Sequence, residues 1–176
     1  LWELTGVYAS LSRVLNSYLQ EKKYFSGDYH SPVLVSGNEA EEEETEDPDP
    51  PLNASSVWLT YNALLKVNRP EGEAGWQYFS SSRDFAWKTG TSFGFRDAWA
   101  VGTTPEYVIG VWAGNADGEG RPGLTGISSA APILFDLMNL MEPSGWFKEP
   151  LDDLTMVRVC SLSGYRAGPD CSETEE

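Results

Sequence analysis

Four consecutive residues, Lys88-Thr89-Gly90-Thr91, combine groups that could bind and polarise a carbonyl substrate. The lysine supplies a cation, the threonines supply hydroxyl donors, and the glycine leaves the backbone bare between them. An acyl-transfer site for a peptide needs such groups along one strand, with a free N–H for the oxygen that becomes negative. We therefore interpret Lys88 as a candidate catalytic residue, and Thr89, Gly90 and Thr91 as candidate substrate-binding residues.

The nucleophile that would complete this chemistry is not found in the chain. A serine-acylating site needs a serine with an adjacent base, and no serine here is followed three residues later by lysine. The pair Arg96-Asp97, close to the motif, is interpreted as structural, with Arg96 bonding loop carbonyls or a carboxylate. We therefore expect no acylation by this chain alone.

The element that must present the motif is a strand in an antiparallel sheet. Three β-favouring runs, 85–90, 95–102 and 107–113, are separated by Gly94 and by Thr104-Pro105, which predicts a meander. Helical patterns precede the sheet and one follows it. This order indicates the α+β class.

Apolar residues at spacings of three and four predict an amphipathic helix over 4–19. A second helix is expected to begin at Asn53 or Ser55 and to end at 70–72. A third, mostly buried helix is expected over 127–141, with Pro132 in its first turn. Short strands are predicted at 33–35 and 155–159.

Composition and charge limit the functions that the chain can have. The 176 residues are 40% hydrophobic, which is enough for a buried core, and the formal net charge is −15. That charge disfavours nucleic acid or an anionic membrane as partner. Eight of the negative charges lie in the acidic loop 38–51, interpreted as solvated. No cofactor is indicated, and no apolar run has the length of a membrane span.

Two cysteines, Cys160 and Cys171, lie in a C-terminal segment that contains glycine and proline. A disulfide between them is plausible in an oxidising compartment, and two independent free thiols are the alternative. A metal site is disfavoured because the only histidine, His30, is distant in sequence.

A wider set of residues resembles the class A penicillin-binding proteins. The resemblance runs through 87–102, 107–115, Leu124-Thr125-Gly126 and 130–135, and the Lys-Thr-Gly triad belongs to the motif set of these proteins and of class A β-lactamases. Residues 1–15 resemble the helix that follows the family's Ser-x-Asn motif. Residues 51–70 resemble the helix that precedes its Lys-Thr-Gly strand. Ser36-Gly37-Asn38 lies after the first helix rather than before it, so we interpret it as coincidental.

The resemblance implies a fold and a domain division. It implies a β-lactamase/transpeptidase-like α+β fold, present here as a partial domain. Residues 1–150 would be the C-terminal part of a transpeptidase domain, and 151–176 the start of a small C-terminal domain. Cys160 and Cys171 resemble a paired-cysteine feature at the start of that small domain. The start of the sequence without an initiator methionine fits a fragment of a longer protein.

The resemblance also implies an activity. A parent of this kind would be a serine D,D-transpeptidase, an acyltransferase that cross-links peptidoglycan at D-Ala-D-Ala stem peptides and binds penicillin and other β-lactams. It would carry a glycosyltransferase domain and be anchored at the periplasmic face of the bacterial inner membrane. Lys88 would support the serine, Thr89 and Thr91 would bind the substrate carboxylate, and the Thr91 N–H would face the oxyanion.

Two other functions remain open on the sequence. One is a β-lactamase or carboxypeptidase, which the 96–102 and 107–115 matches disfavour. The other is a non-catalytic binding or assembly module of the cell-wall machinery, in which the motif strand is only structural. A fragment with an incomplete core could also form an oligomer to cover its exposed apolar surface.

Overall fold

A computed structural model describes residues 1–34, 45–68, 83–171 and 173–175. The regular structure of these residues consists of three α-helices, a three-stranded sheet, a small two-stranded sheet and short 3-10 and π turns. In chain order they are α1 (Trp2–Glu21), α2 (Ala54–Leu65), β1 (Ala86–Thr91), β2 (Asp97–Thr103), β3 (Val108–Gly114), α3 (Ala131–Leu140), β4 (Val159–Cys160) and β5 (Thr174–Glu175).

The larger sheet is the predicted antiparallel meander, in the order β1-β2-β3. Gly90 pairs with Trp99, and Trp99 pairs in turn with Trp112 on β3. The α+β class expected from the sequence is confirmed, with the helices packed on both sides of this sheet.

Side-chain alternation along the strands divides the sheet into two buried faces. On one face, Trp87 and Ala100 pack against Leu134 and Phe135 of α3. On the other face, Ala86 packs against Val14 of α1 and against α2. The motif strand is therefore held between the two helix layers at its N-terminal end.

A buried polar cluster joins α1, α2 and β2. The Ser12 hydroxyl lies 2.9 Å from Thr103 Oγ1 and 3.1 Å from the Tyr61 hydroxyl, and Tyr61 donates to the Tyr8 carbonyl oxygen at 2.9 Å. Each buried oxygen has a partner, so the cluster stabilises the helix layer on this face of the sheet.

The helix starts agree with their capping residues. Asn53 is the N-cap of α2, and its side chain accepts a hydrogen bond from the Ser56 amide. The third helix begins at Ala131, later than predicted, because a π-type turn at Gly126–Ala130 precedes it. Pro132 lies in its first turn, as expected. The second helix ends at Leu65, and the predicted stop at 70–72 lies outside the described residues.

Two short predicted strands differ from the structure. Residues 33 and 34 form no strand, and residue 35 lies outside the described residues. The strand predicted over 155–159 begins only at Val159, because Met156 and Val157 are exposed and pair with no strand among the described residues. Ser36-Gly37-Asn38 and residues 38–44 of the acidic loop also lie outside the described residues.

Residues 151–153 lie against the helices. The Asp153 carboxylate accepts a hydrogen bond from the Ser55 amide at 2.7 Å, and Asp152 pairs with Lys22 at 2.7 Å. The first residues of the predicted C-terminal domain therefore attach to α1 and α2, while the domain division itself stays a prediction.

Candidate functional site

The Lys88-Thr89-Gly90-Thr91 motif occupies the last four residues of β1, which is an edge strand. No strand among the described residues pairs with the outer side of β1. Side-chain alternation places Lys88 and Gly90 on the face that α1 and α2 cover near Ala86, and Thr89 and Thr91 on the α3 face. Lys88, Gly90 and Thr91 are exposed, and Thr89 is half-buried.

The backbone of β1 points its amides alternately toward and away from β2. The Ser92 amide donates to the Asp97 carbonyl oxygen at 3.0 Å, directly after the strand. In an antiparallel ladder, hydrogen-bonded pairs alternate with non-bonded pairs, so the Lys88 and Gly90 amides bond to β2. The Thr89 and Thr91 amides consequently point outward from the sheet edge.

The motif side chains make two hydrogen bonds that bear on chemistry. Lys88 Nζ donates to the Thr89 carbonyl oxygen at 2.8 Å, so the ammonium lies beside the outer edge of its own strand. Thr91 Oγ1 accepts from the Gly126 amide at 2.9 Å. A hydroxyl that accepts one bond still has its proton to donate, so Thr91 can donate to a carboxylate while Gly126 fixes its position.

Gly126 is a supporting residue to which the sequence reasoning gave no role. A Cβ at this position would lie 2.5 Å from the Gly90 carbonyl oxygen and 2.6 Å from that of Trp99. No side chain fits there, so glycine allows the turn before α3 to approach the motif strand. The sequence signal that could have located this turn is the spacing of Thr125 and Ser128, because these two residues form the capping box that fixes it.

The turn after the motif projects an aromatic side chain into solvent. Gly94 and Phe95 have φ values of 77° and 57°, and the Asp97 amide donates to Ser92 Oγ at 2.8 Å. Phe93 at the tip is 98% exposed. This turn connects β1 to β2 and places the end of the motif directly beside solvent.

Asp97 has a structural role, as the sequence indicated, but the sequence did not predict its partner, Trp112. Trp112 Nε1 donates to Asp97 Oδ1 at 2.9 Å. This bond, with one from Ser92 and the nearby charge of Arg96, holds the pKa of Asp97 below its ordinary value. The expected bond from Arg96 to loop carbonyls is not found among the described residues. Arg96 instead lies beside Gly94 and Gly120.

The tryptophans of the sheet pack as predicted. Trp87 is fully buried, and its ring meets Phe135 edge to face with centroids 5.0 Å apart. Trp99 is half-buried opposite Gly90, and the Trp112 indole N–H is hydrogen-bonded to Asp97. Trp112 is 38% exposed, but its indole N–H is hydrogen-bonded to Asp97, so the structural interpretation fits the three tryptophans better than a substrate platform.

One cavity among the described residues lies away from the motif. It has a volume of about 300 Å³ between α1 and the β2–β3 turn, and it is lined in part by Gly6, Arg13, Asn16 and Glu106. There, Arg13 Nη2 already donates a hydrogen bond to the His30 carbonyl oxygen at 2.9 Å. The candidate chemistry is therefore on an open strand edge and not in this cavity.

Other features of the described residues do not add a reactive centre to β1. Among these residues, no serine hydroxyl hydrogen-bonds to Lys88, and no group of three or more His, Cys, Asp or Glu side chains could hold a metal ion. Nor does any helix within the described ranges have the length and apolarity needed to cross a membrane.

Proteins of similar sequence are found among penicillin-binding proteins. Over 92 residues, 52% of this chain, it is 52% identical to penicillin-binding protein 1C of Escherichia coli (strain K12), and the match covers 12% of that protein. It is 37% identical over 83 residues, 45% of this chain, to penicillin-binding protein 1A of both Rickettsia typhi (strain ATCC VR-144 / Wilmington) and Rickettsia prowazekii (strain Madrid E). These matches cover 10% of each protein.

No family model matches the chain. The matches to named proteins are nevertheless strong over the stretch that they cover, and all three proteins carry the same family name. The chain spans only a small part of the length of these curated relatives. Over about half of its own length, this chain is a relative of the penicillin-binding proteins, as the motif and its flanking residues predicted.

Proposed function

We propose that this chain supplies the substrate-binding strand of a serine D,D-transpeptidase that cross-links peptidoglycan and binds penicillin. The observation that carries the proposal is the edge position of β1, where Thr89 and Thr91 have outward amides and Thr91 has a donor hydroxyl fixed by Gly126. The similarity to penicillin-binding proteins supports it independently.

Each motif residue has a role in this proposal. The Lys88 ammonium attracts the carboxylate of a D-Ala-D-Ala stem peptide or a β-lactam, and in the complete site it supports the serine. Thr89 and Thr91 donate to that carboxylate, and the outward Thr91 amide donates to the oxyanion. Gly90 leaves the strand open to the substrate.

The serine nucleophile lies outside this chain. We propose a longer parent in which residues 1–150 complete the transpeptidase domain and 151–176 begin a small C-terminal domain. By the same resemblance, the parent carries a glycosyltransferase domain and acts at the periplasmic face of the inner membrane. In this proposal, no residue of this chain acts as the nucleophile of acyl transfer.

Labelling with a fluorescent penicillin tests both parts of the proposal. The chain of 176 residues should form no covalent adduct, whereas the product of the complete gene should label on serine. In that product, Lys88→Ala should slow acylation by about 100-fold, the scale of losing one electrostatic contact in an active site.

Lys148→Ala is the matched control, because Lys148 is also exposed but lies outside the motif strand. Labelling of the isolated chain would refute its inactivity. A complete gene product that lacks Ser-x-x-Lys and never labels would instead favour the binding or assembly module.

A further inference from the structure

The cavity between α1 and the β2–β3 turn is bounded by two walls that run side by side. Near one end, Asn16 Nδ2 donates to the Pro105 carbonyl oxygen at 2.8 Å and joins the turn to α1. Toward the other end, β3 approaches α1 so closely that a Cβ at Gly110 would clash with Thr5 Oγ1. The volume of about 300 Å³ between these contacts is in the range of pockets that hold small molecules.

Small residues of α1 make the space along this helix. Gly6 and Ala9 line the cavity and share one helix face with Arg13, at spacings of three and four residues. Pro32 packs over Gly6, where any side chain would clash with the proline ring. Pro32 and Val108 also line the cavity. This part of the cavity therefore suits an apolar group.

Arg13 gives the cavity a polar end, next to Asn16 on the same helix face. Arg13 Nε donates to the Asp28 carbonyl oxygen at 3.0 Å, and Nη2 donates to Ser10 Oγ at 2.8 Å and to the His30 carbonyl oxygen at 2.9 Å. These bonds fix the guanidinium plane. Within the described part of the chain Nη1 has no hydrogen-bond partner, so its two N–H groups can donate to a ligand.

The charge of Arg13 is only partly balanced. Arg13 is half-buried, and it forms no ion pair with the residues that the structure describes. Burial lowers the pKa of Arg13, and the charge of Asp28 offsets part of this effect from outside the cavity lining. Glu106, which is exposed, is the other charged residue in the lining. A partly desolvated guanidinium with free N–H groups favours a carboxylate as ligand.

We propose that this cavity binds a small carboxylate with an apolar body. The carboxylate accepts hydrogen bonds from Arg13 Nη1, and the apolar body lies along Ala9 and Gly6, against Val108. Gly6 and Arg13 are seven positions apart on α1, which is about 10 Å along the helix axis. An aryl or alkyl carboxylate of that length fits the cavity. The site does not depend on the proposed transpeptidase function, since no residue of β1 lines it.

An NMR titration of the native chain tests the site, with 4-phenylbutanoate as the probe. The probe should cause saturable shifts of the Arg13 side-chain nitrogens and of the Ala9 and Val108 methyl groups. The amide 4-phenylbutanamide has the same shape without the charge, and it should bind about fivefold more weakly. Equal affinity for acid and amide would overturn the assignment of a carboxylate. No saturable shift at these residues, up to the solubility of the probe, would overturn the site.

Two variants locate the probe without touching Arg13. Ala9→Phe fills the apolar part of the cavity and should abolish binding. Glu106→Gln removes the negative charge from the lining, and should tighten binding of the acid by roughly two- to threefold without changing that of the amide. Glu119→Gln is the matched control, because Glu119 is also exposed but does not line the cavity.

Unchanged affinity in a folded Ala9→Phe chain would place the probe elsewhere and refute the proposal. Should Ala9→Phe fail to fold, the exposed position 106 decides. Equal effects of Glu106→Gln and Glu119→Gln on binding of the acid would then contradict a carboxylate held beside Arg13.

Discussion

At the scale of single residues, the contact between Trp112 and Asp97 has a measurable electrostatic signature. The indole N–H stabilises the carboxylate, so the pKa of Asp97 is lowered in the folded chain. A lowered pKa gives a stabilising contribution that is present above the unfolded value and is lost as pH falls through the folded value. This contribution therefore disappears only in acid.

Trp112→Phe should raise the pKa of Asp97 toward its ordinary value, because the largest cause of the shift is removed. Carboxyl NMR titration of Asp97 measures the change directly. Trp146→Phe is the control, since Trp146 packs against Phe147 in the other core cluster. An unchanged Asp97 titration in Trp112→Phe would mean that the hydrogen bond does not determine the pKa.

Prediction from sequence placed the motif on a strand of the antiparallel meander, but it did not reach the residues that support the motif. The roles of Lys88 to Thr91 stay predictions, based on residue types and order that are informative within one strand. Gly126 could not be given its role, because its value comes from the approach of a turn that lies 35 residues away from Thr91. The Asp97 partner was missed for the same reason, since Trp112 is on a different strand.

At the scale of elements, α3 presents one buried and one exposed side. Leu134 is 0% exposed against the sheet, whereas Leu140 is 77% exposed on the same helix. Leu134→Ala should reduce the free energy of unfolding by about 3 kcal/mol, through lost burial and the cavity that remains. Leu140→Ala should change it by less than about 0.5 kcal/mol.

Urea unfolding of both variants measures this difference. The two substitutions remove the same atoms from the same helix, so each controls for the helix propensity change in the other. Similar losses for both variants would show that α3 does not pack on the sheet through its Leu134 side.

The buried cluster around Tyr61 ties α1 and α2 to β2. Burial raises the pKa of Tyr61 to about 12, so its hydroxyl keeps its proton and remains a donor to the Tyr8 carbonyl oxygen. Tyr61→Phe removes one hydrogen bond from that oxygen and one from the Ser12 hydroxyl, which keeps its bond to Thr103, and should cost about 1–2 kcal/mol of unfolding free energy. Tyr165→Phe, at an exposed tyrosine, should be close to neutral in the same urea experiment.

The regular elements could be predicted because periodicity reports which side of an element is buried. The meander and α1 follow from such patterns, and Asn53, one of the two caps expected for α2, is the one that the structure uses. The predicted strand over 155–159 was wrong for most of its length, because β-favouring residues need a partner strand, and sequence alone does not supply one. The late start of α3 arises from the Thr125–Ser128 turn.

At the scale of the whole molecule, exposed apolar surface favours self-association and net charge opposes it. Large apolar side chains are exposed on the outer side of α3, at Ile133, Leu137 and Leu140. The formal net charge of −15 opposes close approach of two copies. We therefore expect association that is weak at low salt and stronger as salt screens the repulsion.

Sedimentation equilibrium at increasing sodium chloride measures this association. Leu137→Glu should weaken it by placing a charge in the exposed apolar strip, whereas Lys148→Glu adds negative charge elsewhere and serves as the control. A chain that stays monomeric at every salt concentration would remove the expectation of an oligomer.

The outward amides of β1 also act as a measure of ligand length. Residues 89 and 91 are two positions apart on an extended strand, so their amides lie about 7 Å from each other. A molecule that accepts hydrogen bonds from both must carry two acceptors with that separation, which is the repeat of a dipeptide in extended form. Shorter ligands can occupy only one of the two amides, so in the proposed site we expect N-acylated dipeptides and longer peptides to be favoured over single amino acids.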